Sequence, residues 1–176
     1  DMANGTQLIE NLPFTTRQVI GSRARIGMVV LATDYTLEHE LRQMLSLPGV
    51  DFYHARIANS PNITLDALRA MQPLITSTAE LILPGDTLDV LAFACTSASI
   101  VLGTPTVAKN LNTAKPEAKT TNPAFAAFHA FQAMGAKRIA VLTPYAKDVN
   151  QMVQKSVEEA GFDVPVFGSF NEPHDP

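Results

Sequence analysis

The strongest constraint on this chain is an alternation of short apolar runs with longer amphipathic stretches. "RIGMVVLA" (Arg25–Ala32) is continuously apolar and too short for a helix, so it reads as a buried strand. "TLEHELRQML" (Thr36–Leu45) follows, with Leu37, Leu41, Met44 and Leu45 at helical spacing. Its Glu38 and Glu40 come early, where the helix dipole favours acids. Pro48-Gly49 breaks that pattern, and "VDFYHARI" (Val50–Ile57) is a second strand. Thr64 to Leu83 is a long helical stretch with Leu65, Leu68, Met71, Leu74, Ile75, Leu81 and Ile82 on or near one face. Pro73 should kink or split it. After the turn signal Pro84-Gly85-Asp86, Val90–Ala94 is a third strand. A helical stretch around Thr106 to Leu111 and a short polar strand, Glu117–Asn122, complete the first round.

A second round starts at Pro123. "PAFAAFHAFQAMG" places Pro at the first helical position and Gly135 just past the end. "RIAVLT" (Arg138–Thr143) is a strand, Asp148 to Ala160 a helix with Val149, Met152, Val153 and Val157 inward, and Val164–Gly168 another strand. Strands alternating with helices of this length predict an α/β fold with parallel sheets flanked by helices. "RIGMVVLATDYT" and "RIAVLTPYAKDV" form a weak internal repeat, which points to two pseudo-symmetric lobes. The expected division is an N-terminal extension (1–22), a first lobe (23–122) and the start of a second (123–176), incomplete after two strands. An uncovered lobe favours association into a homo-oligomer.

Composition narrows the class. With 176 residues and 46% hydrophobic content, the chain can bury a sizeable core. A net charge of −4 without a basic block argues against nucleic acid and anionic membranes. Ile26 to Ala32 is far too short to span a bilayer. The first twenty residues show no basic n-region or apolar h-region, and one cysteine permits no intrachain disulfide. A soluble cytoplasmic protein is the expectation.

In open α/β sheets ligands bind at the carboxyl ends of strands. Those ends are Thr33-Asp34-Tyr35, Cys95-Thr96-Ser97, Thr120-Thr121-Asn122 and Thr143-Pro144-Tyr145, all polar caps on apolar strands. The only cysteine sits where a strand ends and residues suited to a helix N-terminus begin. Backbone N–H groups there favour a thiolate, which suits a nucleophile or proton carrier, and with the hydroxyls they can hold a carboxylate. The plainer reading is a packed, inert cysteine; the four polar strand ends tip the balance toward function.

"LATDYTLEHE", "FACTSAS", "TTNPAFAAFHAF" with "MGAKRIAVLTPY", and "FGSF" together resemble the aspartate/glutamate racemase superfamily, nearest the maleate cis–trans isomerase and arylmalonate decarboxylase branch. The details "ATDYT", "TSAS" and "GSFNE" look most like a member associated with ectoine utilisation. The resemblance covers roughly Arg25 to Asn171. It implies two lobes with the active site between them and no metal or organic cofactor. It implies that racemase members use one cysteine from each lobe, whereas in the isomerases the first-lobe cysteine adds to the alkene as a thiolate. Cys95 matches that position, Thr96 and Ser97 the carboxylate-holding segment, and Tyr145 the tyrosine of the "TPY" motif, which can stabilise a developing enediolate.

Two departures stand out. The isomerases carry asparagine after their first strand, where this chain has Asp34. A carboxylate there repels a dicarboxylate unless it is protonated or turned away, whereas an amide donates to one. No second cysteine is present within these residues. The expectation is a cofactor-independent isomerase or racemase acting next to a carboxylate of a small carboxylic or dicarboxylic acid through Cys95. Thr96, Ser97 and Tyr145 anchor the substrate, and Thr33 and Asp34 shape another wall. Thr121 is a further ligand candidate, although it and Asn122 suit helix capping slightly better. A non-catalytic carboxylate binder and an arylmalonate-type decarboxylase are the alternatives.

The remaining motifs carry little. "HELRQ" lacks the second histidine of a zinc-protease helix, since position 43 is Gln43. Glu38 and Glu40 read as a solvated face, His54 and His129 as structural histidines without visible partners, and Tyr35 equally as pocket wall or surface. No motif for nucleotides, serine hydrolysis or metals is present.

Overall fold

The computed structural model describes residues 6–174. Its elements are β1 (Ala24–Leu31), α1 (Leu37–Met44), β2 (Val50–Ile57), α2 (Leu65–Ala70), α3 (Gln72–Glu80), β3 (Val90–Ala94) and α4 (Thr96–Leu102). They continue as α5 (Thr104–Ala114), β4 (Lys119–Thr121), α6 (Pro123–Ala133), β5 (Arg138–Thr143), α7 (Lys147–Glu159) and β6 (Asp163–Ser169). One sheet is ordered β2-β1-β3-β4 and the other β5-β6, and every pairing is parallel. This is the expected α/β class of parallel sheets flanked by helices.

Local chemistry explains most boundaries. Pro73 lies in the first turn of α3, so the predicted long helix divides at Met71. Leu68, Met71, Ile75 and Ile82 are buried as expected, whereas Leu74 and Leu81 face solvent because the break rotates the apolar stripe. Gly103, at φ +83°, ends α4 and opens α5, which is longer than the stretch around Thr106 to Leu111 that the sequence predicts. Gly135 lies just past α6 at φ +67°, with its N–H on Gln132 O (3.0 Å) and that of Ala136 on Phe131 O (3.0 Å). This pair of hydrogen bonds makes a Schellman end, with glycine just past the helix as the sequence predicts. Helix α1 departs from expectation: it buries no side chain, and Met44 is exposed.

The main core fills the space between the four-stranded sheet and helices α2 to α5, with Phe93, Leu91, Ile57, Ile75 and Leu111 fully buried. A second cluster joins α7, through Val153 and Val157, to Phe162 and the aromatic face of α6. Among the described residues no helix is long and apolar enough to cross a membrane.

Lys115 is the buried cation of the main core. It is 5% exposed, and its Nζ donates to the carbonyls of Leu83 (2.8 Å) and Asp86 (2.7 Å), closing the turn before β3. Leu83 sits there at φ +43°, a conformation that needs such support. Lys115→Met leaves both carbonyls without this donor and is expected to cost about 2 kcal/mol, read from urea unfolding. An unchanged midpoint would show that water replaces the ammonium without loss.

Candidate active site

The parallel sheet directs the carboxyl ends of β1 and β3 to the same side, and a cleft of about 240 Å³ opens there. Leu31, Asp34, Asn59, Cys95, Ser97 and Tyr145 are among its walls.

Cys95 directly follows β3 in extended conformation (φ −137°, ψ 113°) and is the N-cap of α4. Its side chain is 6% exposed, and Sγ lies 3.8 Å from Ser97 Oγ. Its carbonyl accepts from Ser99 N (3.0 Å) and from the buried Ser99 hydroxyl (2.6 Å), which locks the strand-to-helix turn. The thiol is thus held at the cleft wall by the backbone on both sides of it. Thr96 is exposed and Ser97 buried, and both line the cleft.

The β1 side is organised by Asp34. Its Oδ1 accepts from Thr36 N (2.8 Å), Thr36 Oγ (3.3 Å) and Leu37 N (2.9 Å), so this carboxylate caps α1 from two residues ahead of the N-cap. The residue still lines the cleft, and among its described lining residues it is the only charged one. Thr33 stands one residue back: its N–H donates to Asn59 Oδ1 (3.3 Å), and Asn59 Nδ2 donates to its hydroxyl (2.9 Å). It supports the wall instead of lining it. Tyr35 is 75% exposed, which settles it as a surface aromatic.

Tyr145 arrives from the second sheet. Its carbonyl accepts from Asn150 Nδ2 (2.7 Å) and Ser169 Oγ (2.6 Å), and its N–H donates to Thr143 Oγ (3.3 Å). The Thr143 hydroxyl in turn donates to Asn150 Oδ1. The segment after β6 closes the far side, where Ile63 N donates to Pro173 O (2.7 Å) and His174 meets Asn62.

The structure therefore gathers Asp34, Cys95, Thr96, Ser97 and Tyr145, with Thr33 directly behind. Thr121 falls outside: it borders a separate hollow of about 170 Å³ with Thr104, Val107 and Phe125. Asn122 caps α6 through Phe125 N (2.9 Å), as expected. The loop Asn59–Ile63 escaped the sequence reading, although "ANSPN" is a polar cap on an apolar strand like the other four. Two further readings need correction. Glu38 is not a solvated face residue, because its carboxylate meets Arg56 (2.9 Å) and His54 (3.0 Å). His54 accordingly has a partner, and His129 has one in Phe125 O (2.9 Å). Among the described residues no group of three His, Cys, Asp or Glu is placed to hold a metal.

No family model matches the chain. It is 28% identical over 150 residues to the maleate isomerase of Nocardia farcinica, covering 80% of this chain and 59% of that one. To the maleate isomerase of Pseudomonas putida it is 29% identical over 152 residues, covering 80% and 60%. The chain is similar to the maleate isomerases over four fifths of its length. It spans about three fifths of the length of these curated relatives. Among solved structures, a Nocardia farcinica maleate cis–trans isomerase variant with a covalently bound succinylcysteine intermediate superposes with a TM-score of 0.74, 26% identity, and coverage of 86% of this chain and 65% of that one. A Pseudomonas putida S16 maleate isomerase variant with maleate gives 0.74 and 24%, covering 84% and 64%. A liganded arylmalonate decarboxylase variant shares the fold at 0.70 and 21%, covering 86% and 63%. The resemblance carried by the five motifs, to this branch of the racemase superfamily, is borne out.

Asn150 is the residue on which the Tyr145 wall turns. Asn150→Ala removes the donor to Tyr145 O and the acceptor of the Thr143 hydroxyl together. A loss of about 1–2 kcal/mol in urea unfolding is expected, with faster amide exchange at Tyr145 than elsewhere in β5 and α7. Uniform exchange across both elements would mean that Ser169 alone holds the wall.

Proposed function

We propose that the cleft is the active site of a cofactor-independent isomerase, in which the Cys95 thiolate adds to an unsaturated carbon near a carboxylate. The observation that carries this reading is the cysteine itself: a nearly buried thiol fixed at a strand-to-helix turn, beside two hydroxyl residues and a tyrosine, in one cleft. The succinylcysteine in a similar enzyme supports it.

In this scheme a sulfur lone pair forms the C–S bond while the alkene π pair moves toward the neighbouring carboxylate as an enediolate. The former double bond is then single and rotates. Return of the pair re-forms the alkene and expels the thiolate, so the step is redox-neutral and regenerates Cys95. Thr96 and Ser97 hold one carboxylate through hydroxyl and backbone donors. Tyr145 donates to the developing enediolate, where a positioned donor acts more strongly than on the ground-state acid. Thr33 holds the β1 wall in place through Asn59. Thr121 serves the neighbourhood of α6.

The same reading places the protein in the cytoplasm, with lobes over 23–122 and from 123 onward, a small carboxylate or dicarboxylate as substrate, and self-association into a homo-oligomer. Ectoine-derived acids join maleate, aspartate, glutamate and aryl-malonates as substrates to test. The full chain is incubated with this panel in D₂O and followed by proton NMR. Isomerisation, or deuterium appearing next to a carboxylate, is expected, with complete loss in Cys95→Ala and a fall of about 100-fold in kcat/KM for Tyr145→Phe. Silence across the panel, together with ligand-induced shifts in the protein spectrum, would make it a binding protein.

A further inference from the structure

The charge lining the cleft points to its ligand. Asp34 is the only charged lining residue among those described, and no lysine or arginine shares that wall. The cation behind this wall is already matched. Arg56 donates to the carbonyls of Leu31 (3.1 Å), Ala32 (3.2 Å) and Asp34 (2.6 Å), and its other nitrogen meets Glu38 (2.9 Å). It stands behind the wall, and its charge faces Glu38, not the cleft. The Asp34 carboxylate is also fixed, since three donors from Thr36 and Leu37 converge on Oδ1.

A ligand with two carboxylates would therefore bring one of them near a like charge with no lining cation to offset it. In a half-enclosed site that repulsion lowers affinity at least about tenfold. An ammonium or another protonated nitrogen at the same distance gains by a comparable factor. The hydroxyl side of the cleft, Thr96, Ser97 and Tyr145, remains suited to a single carboxylate.

We propose that Asp34 is a specificity-determining residue that selects an amino-bearing carboxylate, the acid group toward Thr96 and Ser97 and the nitrogen toward Asp34, over a dicarboxylate of the same length. This rests on the cleft being the substrate site and names the class of substrate it takes.

Succinate and β-alanine test it, because they share a two-methylene spacer and differ in one end group. Each is titrated into the full chain, and cleft amides at Asn59, Thr96, Ser97 and Tyr145 are followed by NMR. The wild type is expected to bind β-alanine at least about tenfold more tightly than succinate. Asp34→Asn keeps an acceptor oxygen for Thr36 and Leu37 and removes the charge, so it should fold normally by melting and circular dichroism. It is expected to shift the affinity ratio at least about tenfold toward succinate. Asp34→Ser should move the ratio in the same direction. Equal or tighter succinate binding by the wild type, an unchanged ratio in Asp34→Asn, or no cleft shift with either probe would overturn the proposal.

Two further outcomes separate it from the proposed activity. Cys95-dependent turnover of maleate that Asp34→Asn leaves unchanged would sink the charge selection and spare the chemistry. A β-alanine preference present in both wild type and Cys95→Ala, without turnover of any acid, would sustain the selection and sink the chemistry.

Discussion

The seven-residue helix α4 is the contact on which the rest of this structure leans. Its segment "TSASIVL" presents small side chains where α2, α5, α6 and α7 all approach it. Ser97, Ala98 and Ser99 are buried at 5%, 0% and 0% exposure, so any added methylene would push a neighbouring helix outward. The buried Ser99 hydroxyl would be costly without a partner, and it finds one in the Cys95 carbonyl, 2.6 Å away. The bond that satisfies the core therefore also fixes the backbone of the cysteine. Packing and chemistry share one turn of helix.

Around that turn, amides and hydroxyls add to the apolar packing of Leu31, Ile63 and Tyr145 in holding the loops. Asn59 ties the end of β1 to the end of β2, and Asn150 with Ser169 ties the end of β5 to α7 and β6. A loop at a strand end carries backbone donors and acceptors that strands no longer satisfy, and a side-chain amide can answer one of each. Each tie contributes only about 1 kcal/mol. Several in a ring nonetheless position the cleft wall without filling it, which a hydrophobic plug would do.

The sequence makes the architecture legible because its signals are local and agree. Apolar runs give the strands, Pro73 and Pro123 the helix starts, and Gly135 and Gly161 the helix ends; Gly161 closes α7 with the same pair of bonds as Gly135 closes α6. The strand-end rule picks out Asp34, Cys95, Thr96, Ser97 and Tyr145, and all five line one cleft. It leaves out Asn59, which follows β2, the strand whose end is not among the four it takes. It set Thr121 beside them because the rule ranks all strand ends alike, whereas β4 lies on the far edge of the sheet. Long-range pairs such as Glu38 with His54 and Arg56 are invisible in spacing, since they depend on the parallel register of β2.

That register also gives the internal repeat a physical meaning. β1 leads into Thr33 and β5 ends in Thr143, each followed two residues later by a tyrosine, and in both the threonine hydroxyl is gripped by an asparagine. The asparagine comes from the loop after β2 in one half and from α7 in the other. Different ties thus reach the same end, holding a strand terminus against the cleft. The tyrosines then part ways: Tyr35 is turned to solvent, because Asp34 bends the chain into the cap of α1, whereas Pro144 permits no such cap and Tyr145 remains in the wall. One residue between threonine and tyrosine decides which half contributes a carboxylate to the cleft and which an aromatic hydroxyl. The asymmetry of the site follows from that difference between two similar strand ends.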